Sequence, residues 1–238
     1  GIRPSILEYM DQWTIDCLQK YVGEEVFTGM KPKPMLLIEL DGAKENLKFQ
    51  SKLIEKWLQQ EALEFRKAGN EEEAEKLWEV RRQGSSSMKK LASTKLNEDI
   101  VVPLDRQITL VKFVDFLRHN FQLNIGVFGH CGDGNLHVNF MYNEEDTDET
   151  ERAVQALHQL MEKVVSLDGA ISGEHGVGLA KTPFVRNQFN KAEWNAMLAV
   201  KNAFDPKGIL NPGKIFDVFK PWDQKKEKVV LSWERSDH

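Results

Sequence analysis

Two apolar stretches joined by a glycine-rich turn constrain the fold of this chain more than any other part of its sequence. Ile125–His130 and Leu136–Tyr142 have the length and composition of strands, and the tripeptide Gly-Asp-Gly occupies positions 132–134. A connection this short joins antiparallel strands, because parallel strands need a crossover of a dozen or more residues. The sequence therefore predicts a β-hairpin within an antiparallel sheet.

The rest of the chain alternates between strand-like and helical stretches. Further strands are predicted at Met35–Leu40 and at Ile100–Val102. Apolar residues at three- and four-residue spacing predict six helices: Ser5–Val22, Ala43–Gln60, Glu71–Leu91, Asp105–His119, Thr147–Leu167 and Lys191–Phe204. This order favours an α+β fold, with a mostly antiparallel sheet, helices packed on one face as in a ferredoxin-like cap, and a helical C-terminal segment.

The composition is that of a globular chain and excludes several classes of function. The 238 residues carry 32 Lys and Arg against 37 Asp and Glu, which gives a formal net charge of -5. No basic stripe interleaved with aromatic residues is found, so we expect no nucleic-acid partner. No apolar run approaches the roughly 20 residues of a membrane span, and no signal peptide is visible. With two distant cysteines, Cys17 and Cys131, we expect a reducing, cytoplasmic location.

The hairpin carries two histidines, His130 and His137. If Gly132–Asn135 form a four-residue loop, these histidines lie opposite each other, with both imidazoles on one face about 5 Å apart at Cβ. Asn139 follows His137 by two residues and therefore projects to the same face. The spacing leaves two interpretations open: the histidines share a metal ion, or they are partly buried, hydrogen-bonded residues beside a tight turn.

A second glycine-rich stretch, Ser172–Gly178, adds Glu174 and His175. Two histidines and one carboxylate with open positions suit a catalytic divalent metal ion such as zinc, iron or manganese. Successive side chains of an extended backbone point in opposite directions, so Glu174 and His175 can divide metal binding and proton transfer between them. The alternative is a solvent-facing Glu-His pair in a glycine-rich turn.

Arg81 lies on the inward stripe of the predicted helix Glu71–Leu91, whereas Arg82 should face solvent. An inward guanidinium needs an anion, and the sequence leaves open whether that anion is a structural carboxylate or a bound carboxylate or phosphate. Near the C-terminus, Asp205–Lys214 has the pattern of two consecutive turns after a helix.

Three stretches together, Gly129–Asn139, Ser172–Gly176 and Asp205–Lys214, resemble the FAD-linked 2-hydroxy acid dehydrogenases. This group comprises glycolate oxidase subunits, D-lactate dehydrogenases and D-2-hydroxyglutarate dehydrogenases of the vanillyl-alcohol oxidase type. The stretches occur in the family's order, and the resemblance extends from about Pro34 to Phe216. It implies that the chain is the C-terminal substrate and metal domain of a larger flavoenzyme.

In such enzymes an N-terminal domain holds most of the FAD, and this sequence contains neither a glycine-rich phosphate cradle nor a Rossmann fingerprint. The start at Gly1 is accordingly interpreted as a boundary within a longer protein. The implied subdivision is a sheet-and-helix cap at 34–168, a flavin-contacting segment at 169–216 and a tail at 217–238.

The resemblance also implies a role for each candidate residue. His130, His137 and Glu174 would be the metal ligands, His175 the base beside the flavin, and Arg81 the group that binds the substrate carboxylate. The resemblance further implies that the substrate is contacted by Ser85 and Asn139. It implies that the cofactor is contacted by Asn139, Glu174, His175, Asn211 and Lys214.

The implied reaction is oxidation of a 2-hydroxy acid to the 2-oxo acid by hydride transfer to FAD. Ser85 stands where D-2-hydroxyglutarate dehydrogenases carry Thr, and Asn97 replaces their Lys, although Lys95 is near; glycolate, D-lactate or a similar acid is therefore favoured. The implied partners are the chain's own N-terminal FAD domain and an electron-transfer protein or iron–sulfur subunit. Two alternatives remain, a flavin-independent hydrolase or lyase in which the metal activates water, and a non-catalytic module.

Overall fold

The computed structural model describes residues 2–27 and 30–217, which divide into two compact units after Gly176. The first contains five strands: β1 (Ile6–Met10), β2 (Met35–Glu39), β3 (Thr94–Val101), β4 (Asn124–His130) and β5 (Asn135–Tyr142). They form one antiparallel sheet in the order β2-β1-β4-β5-β3. The predicted α+β class and the central hairpin are confirmed.

Five α-helices belong to the first unit: α1 (Gln12–Tyr21), α2 (Lys44–Glu61), α3 (Glu71–Met88), α4 (Gln107–Phe121) and α5 (Thr147–Ser166). The second unit contains α6 (Thr182–Gln188), which the sequence analysis missed, and α7 (Lys191–Phe204), which it predicted. In the second unit the Trp194 ring stacks on the Arg186 guanidinium at 3.7 Å. Over the described ranges, none of these helices has the length and apolar character needed to span a bilayer.

Helices cover both faces of the sheet, which corrects the expectation of helices on one face. Phe128 and Met141 belong to a core cluster with Ile15 of α1 and Met88 of α3. The neighbouring Val127 points to the opposite face, where α4 and α5 contact β4 and β5. The physical reason is that β4 and β5 are buried along both of their alternating faces, so each face needs a cover.

The sheet also lacks, over the described residues, the strand that follows the second helix in a ferredoxin-like fold. β3, α4 and β4, with β5 inserted between the two strands, form the split βαβ unit of such folds. After α5, the described part of the chain makes only an isolated bridge between Val101 and Ala170. β1, from the start of the chain, lies beside β4 instead.

Residues 5–22 form β1 followed by α1 and not the single helix predicted for them. β1 pairs with β2 on one side and with β4 on the other, and the Asp11 side chain accepts a hydrogen bond from the backbone N–H of Thr14 to begin α1. The spacing of Ile6 and Met10 fits a helix, but strand pairing with distant residues overrides that local preference. β1 thus joins the sheet from outside the predicted 34–168 range, and the predicted tail lies, from residue 218 onward, outside the described residues.

Candidate functional site

The β4–β5 hairpin places His130 and His137 on one face, in a register that differs by two residues from the predicted one. His130 pairs with Asn135 and His137 with Phe128, so the loop comprises residues 131–134. A shift of two residues preserves the face because side chains alternate with a period of two. The two imidazoles therefore meet diagonally, with ring centroids 5.6 Å apart.

The tight turn of this hairpin depends on Gly134. Its φ is +91°, and a Cβ atom would overlap the carbonyl oxygen of Val102, whose N–H donates to the Gly134 carbonyl at 3.1 Å. Only glycine combines this backbone conformation with so close an approach. The turn is thereby fixed to the end of β3.

β5 carries apolar core residues on one face and polar residues of the candidate site on the other. Leu136, Val138 and Phe140 are fully buried and alternate along the strand with polar residues that face the other way. His137 is one of these polar residues, and it lies opposite Asp99 of β3. The candidate site shares its face of the sheet with Phe128 and Met141 of the core cluster, so it lies at the edge of that cluster.

Asp99 holds the loop that carries Glu174 and His175. Its buried carboxylate oxygen Oδ2 accepts hydrogen bonds from the backbone N–H groups of Gly173, Glu174 and His175 at 2.9, 2.8 and 2.8 Å. Its other oxygen accepts one from Asn135 Nδ2 at 2.5 Å. Three consecutive N–H groups that converge on one oxygen make an anion-binding nest, here occupied by the protein's own carboxylate.

The sequence analysis did not recognise this role of Asp99. The available signal was the position of Asp99 directly before the apolar strand residues Ile100–Val102. Aspartate is rarely buried without partners, so an aspartate at this position should have partners for its carboxylate. Its backbone partners in the loop lie more than 70 residues away in the chain, so local pattern could not identify them.

His130, His137 and Glu174 bring one ligand atom each within 4.8 Å of one another. The Nε2 atoms of both histidines lie 3.8 Å from Glu174 Oε1. These separations are too long for hydrogen bonds but suit atoms that share one ion at about 2.0–2.2 Å. The structure thus brings together the three residues predicted as metal ligands.

Burial keeps His137 neutral near pH 7. The pKa of this imidazole falls from 6.5 to about 4, chiefly because burial penalises the charged form, while the nearby Asp99 carboxylate opposes the shift. The positive charges of Arg81 and of protonated neighbouring histidines act in the same direction as burial. A neutral imidazole keeps a nitrogen lone pair available for a metal ion.

His175 lies beside the three ligand atoms and stays open to solvent. Its ring stacks on that of His137, with centroids 5.4 Å apart and planes inclined by 19°. Its Nε2 is 3.8 Å from Glu174 Oε1, and 47% of its side chain is exposed. The exposed part of the ring gives a proton on His175 a route to solvent.

Arg81 of α3 is joined to the same cluster through Glu8 of β1. Arg81 Nε donates to Glu8 Oε2 at 2.5 Å, and Glu8 Oε1 is hydrogen-bonded to His130 Nδ1. The guanidinium also stacks on the Phe128 ring, 4.5 Å from its centroid. The sequence left open whether Arg81 meets a structural carboxylate or a bound anion, and the structure shows a structural carboxylate, that of Glu8, at its Nε. The two terminal nitrogens of Arg81 have no acceptor within 2–27 and 30–217, whereas Arg82 is exposed, as predicted.

The sequence analysis missed Glu8. The residue falls within the stretch predicted as a helix, where its side chain would have had no reason to meet a hairpin histidine more than 120 positions away. A buried glutamate on a strand becomes visible only once β1 is recognised as a sheet member.

Ser85 lies one helical turn beyond Arg81 and is engaged by Lys95. Lys95 Nζ donates to Ser85 Oγ at 2.6 Å and lies 5.8 Å from the centroid of the Phe128 ring. Burial lowers the pKa of Lys95 to about 8. Ser85 is therefore close to the Arg81 side of the site, with its hydroxyl occupied by a protein partner.

Asn139 is fully buried on the face that carries His137. Its Nδ2 donates to the carbonyl oxygens of His137 at 3.1 Å and Gly126 at 3.4 Å. Its Oδ1 is buried and has no hydrogen-bond partner among the residues described. A buried, unpaired acceptor is costly, so this oxygen has capacity for a further donor.

Asn211 and Lys214 lie in the second unit, on the turns after α7. Asp205 organises these turns by accepting hydrogen bonds from the backbone N–H groups of residues 209 and 210 at 3.0 and 2.9 Å. Both predicted cofactor contacts, Asn211 and Lys214, are exposed. Their role toward FAD stays a prediction.

Known proteins resemble this chain over most of its length but extend well beyond it. The glycolate oxidase subunit GlcD of Bacillus subtilis (strain 168) is 38% identical over 216 residues, which are 90% of this chain and 46% of that protein. A D-lactate dehydrogenase of Anaerostipes hadrus is 29% identical over 226 residues, covering 90% of this chain and 46% of that protein. The chain thus spans less than half the length of these relatives.

The fold is shared with a solved oxidase structure, and the family is identified directly. A 4-ethylphenol oxidase from Gulosibacter chungangensis, solved as an isoeugenol complex, superposes with a TM-score of 0.60 at 14% identity, covering 92% of this chain and 48% of that one. This likeness concerns the fold alone. The family model described as FAD linked oxidases, C-terminal domain, matches residues 1–215. The chain therefore belongs to the family of FAD-linked oxidase C-terminal domains.

Proposed function

We propose that this chain is the substrate-side domain of an FAD-dependent enzyme that oxidises a 2-hydroxy acid to a 2-oxo acid, with a divalent metal ion bound by His130, His137 and Glu174. The observation that carries the proposal is the convergence of these three ligand atoms within 4.8 Å, with His175 stacked beside them. The family supports FAD chemistry, and the two relatives are named for glycolate and D-lactate, which are both 2-hydroxy acids.

The donor set fits a divalent cation. Two imidazole nitrogens and one carboxylate oxygen suit zinc, iron or manganese, and the low pKa of His137 provides one neutral ligand without the need to release a proton. When bound, such an ion supplies the positive charge that lowers the pKa of a substrate hydroxyl group and orients it.

Arg81 binds the substrate carboxylate. Its Nε is used by Glu8 and its plane is fixed by the Phe128 ring, which leaves the two terminal nitrogens for a bidentate anion. Its side chain is only 14% exposed, so the ion pair forms where water screens it weakly. Ser85 lines this side with its hydroxyl group engaged by Lys95. The names of the two relatives support a small monocarboxylic substrate such as glycolate or D-lactate.

His175 removes the proton of the substrate hydroxyl group. The O–H bond breaks with the proton going to the imidazole, while the C2–H bond breaks with its electron pair leaving as hydride, so that C2 becomes a carbonyl carbon. FAD, when bound, supplies the acceptor of that hydride. The half-exposed ring of His175 then returns its proton to solvent.

The remaining parts of the proposal concern partners. An N-terminal domain of the complete protein holds most of the FAD, and Asn139, Glu174, His175, Asn211 and Lys214 add the contacts made by this chain. The name of GlcD as a subunit supports assembly with other chains, for which we propose an electron-transfer protein or iron–sulfur subunit. Two free cysteines, Cys17 and Cys131, suit a cytoplasmic location.

The test is turnover of the complete protein with glycolate and D-lactate as substrates and an artificial electron acceptor. His175→Ala should lower kcat about 10²- to 10⁴-fold with the fold intact. His119→Ala is the matched control, because His119 is exposed and bonds only to the backbone of its own helix. Full turnover by His175→Ala, or purification of the chain without any divalent metal, would contradict the proposal. Turnover that needs no flavin would indicate a metal-dependent hydrolase or lyase instead.

A further inference from the structure

Glu8 contacts both halves of the candidate site, the metal ligands and the anion-binding arginine. We propose that Glu8 is a positioning residue that sets the tautomer of His130 and the orientation of Arg81 at the same time. Metal binding and substrate-anion binding then depend on one buried carboxylate. The proposal rests on the proposed function for the identity of the metal and the anion, whereas its hydrogen-bond pattern can be tested without either.

Strand pairing brings Glu8 to this position. Glu8 of β1 lies directly opposite His130 of β4 in the antiparallel register, so their Cβ atoms are neighbours on the same face. The glutamate side chain is only 4% exposed, and each of its two oxygens has a different partner. Water therefore has little access to this carboxylate and cannot easily replace either hydrogen bond.

The hydrogen-bond chemistry of the partners determines the tautomer of His130. Arg81 Nε can only donate, and an ionised carboxylate can only accept. His130 Nδ1 must therefore carry the proton that it shares with Glu8 Oε1, which leaves the lone pair on Nε2. Nε2 is the atom that lies 3.8 Å from Glu174 Oε1, on the side of the metal ligands.

The two histidines differ in what orients their imidazole rings. The Nδ1 of His137 is buried and has no hydrogen-bond partner among the described residues, so its ring is oriented by strand β5 and by packing. The ring of His130 is 41% exposed at the end of β4 and needs another constraint. Metal-binding histidines commonly obtain that constraint from a carboxylate at the second ring nitrogen.

Glutamine has the shape of glutamate but cannot serve both partners. Its amide offers one acceptor and one NH₂ donor, while the site at Glu8 requires two acceptors. If the NH₂ group faces Arg81, two donors meet. If it faces His130, Nδ1 must become the acceptor and the ring proton moves to Nε2, which removes the lone pair needed by the metal. Glu8→Gln should therefore weaken zinc binding about 10- to 100-fold.

The experiment uses the 238-residue chain with ¹⁵N-labelled histidine and zinc chloride alone as the probe. Long-range ¹H–¹⁵N spectra of the metal-free chain report the tautomer of His130, whose signals are identified by their loss in His130→Gln. Zinc affinity is then measured by titration for the wild type and for Glu8→Gln. We expect Nδ1–H in the wild type, loss of that signature in Glu8→Gln, and a zinc affinity reduced about 10- to 100-fold.

Asp11→Asn is the matched control. The Asp11–Arg118 pair resembles Glu8–Arg81 closely, with side chains 4% and 13% exposed against 4% and 14%, and none of the histidines within residues 2–27 and 30–217 is bonded to Asp11. It should lose stability as Glu8→Gln does while keeping the His130 tautomer and the zinc affinity. An Nε2–H tautomer in the wild type, or unchanged zinc affinity in folded Glu8→Gln, would overturn the proposal. A wild-type chain that binds no zinc would overturn the metal site instead, and the tautomer spectrum would still decide the role of Glu8.

Discussion

The β4–β5 hairpin and the Ser172–His175 loop contribute to the same cluster but are held in different ways. His130 and His137 are fixed by strand register, with a continuous ladder of backbone hydrogen bonds on β5 from both β3 and β4. The loop has no ladder, and its three N–H groups depend on one carboxylate oxygen of Asp99. A sheet distributes its support over many bonds, whereas the loop concentrates it in one residue. The two regions should therefore respond very differently to single substitutions.

Asp99→Ala should have the largest effect, because it removes the support of the loop and leaves the hairpin paired. Three part-buried backbone N–H groups lose their bonds to a charged acceptor, each worth about 1.5–3 kcal/mol, and the buried Asn135 amide is left unsatisfied at a cost of about 1–3 kcal/mol. We expect a loss of more than about 3 kcal/mol of unfolding free energy and no measurable zinc binding.

Denaturant unfolding and zinc titration of the chain measure both effects. Asp146→Ala is the control, because Asp146 caps helix α5 at a distance from the site and should cost only about 1 kcal/mol with zinc affinity unchanged. Wild-type zinc affinity in Asp99→Ala would show that the loop has other sufficient support.

Acidification should lower the stability of the protein through His137 of the hairpin, whereas the Ser172–His175 loop should not contribute to this effect. Burial lowers the pKa of His137 to about 4, below the 6.5 of the unfolded chain. Between these values the unfolded chain binds a proton that the folded chain does not, so stability falls as pH decreases from about 6.5 to about 4. One such group contributes a loss of about 2 kcal/mol between pH 7 and pH 5.

Denaturant unfolding of the metal-free chain at pH 7 and pH 5 checks this expectation. His137→Asn should lose most of the pH-dependent difference, whereas His119→Asn should retain it because His119 is exposed. An identical pH dependence in His137→Asn and the wild type would show that other groups cause it.

A single methyl group at Gly173 should loosen the loop. A Cβ there would lie 2.6 Å from Asp99 Oδ1 and would overlap the Asn135 amide, so the loop must move away from its anchor. We expect Gly173→Ala to lower zinc affinity about 10-fold, which corresponds to about 1.4 kcal/mol. Gly69→Ala serves as the control, because its Cβ would meet only ordinary contact with Glu73 at 3.5 Å. Equal zinc affinities in both variants would argue against a tight loop.

The same contrast explains what could be predicted from the sequence. The common face of His130 and His137 follows from strand alternation, and it survived a register error of two residues because the alternation has that same period. Glu174 and His175 were identified by residue type, and the structure brings both to the hairpin histidines. Residue chemistry with a short local period was therefore sufficient to identify these four residues as candidates, whereas their separate roles were implied only by the family resemblance.

Glu8 and Asp99 were missed for a common physical reason. Each acts on partners 70 or more positions away, through pairings that only the folded sheet creates. For Glu8, the spacing of neighbouring apolar residues also fits a helix, and local preference pointed to the wrong element. The residues that hold a site are thus harder to predict than the residues that form it.

The smallest effect is expected for a substitution at Cys131. This substitution tests whether the position of the hairpin depends on a side chain of its turn. Cys131 Sγ donates to the Leu7 carbonyl oxygen at 3.3 Å, and burial, assisted by the Glu8 carboxylate, raises the thiol pKa to about 11. Because backbone pairing and Glu8 position His130, Cys131→Ala should cost less than about 1 kcal/mol and leave zinc affinity within about twofold. The protonated thiol should also react slowly with iodoacetamide at pH 8. A tenfold loss of zinc affinity in Cys131→Ala would mean that the Cys131 side chain is also needed to position His130.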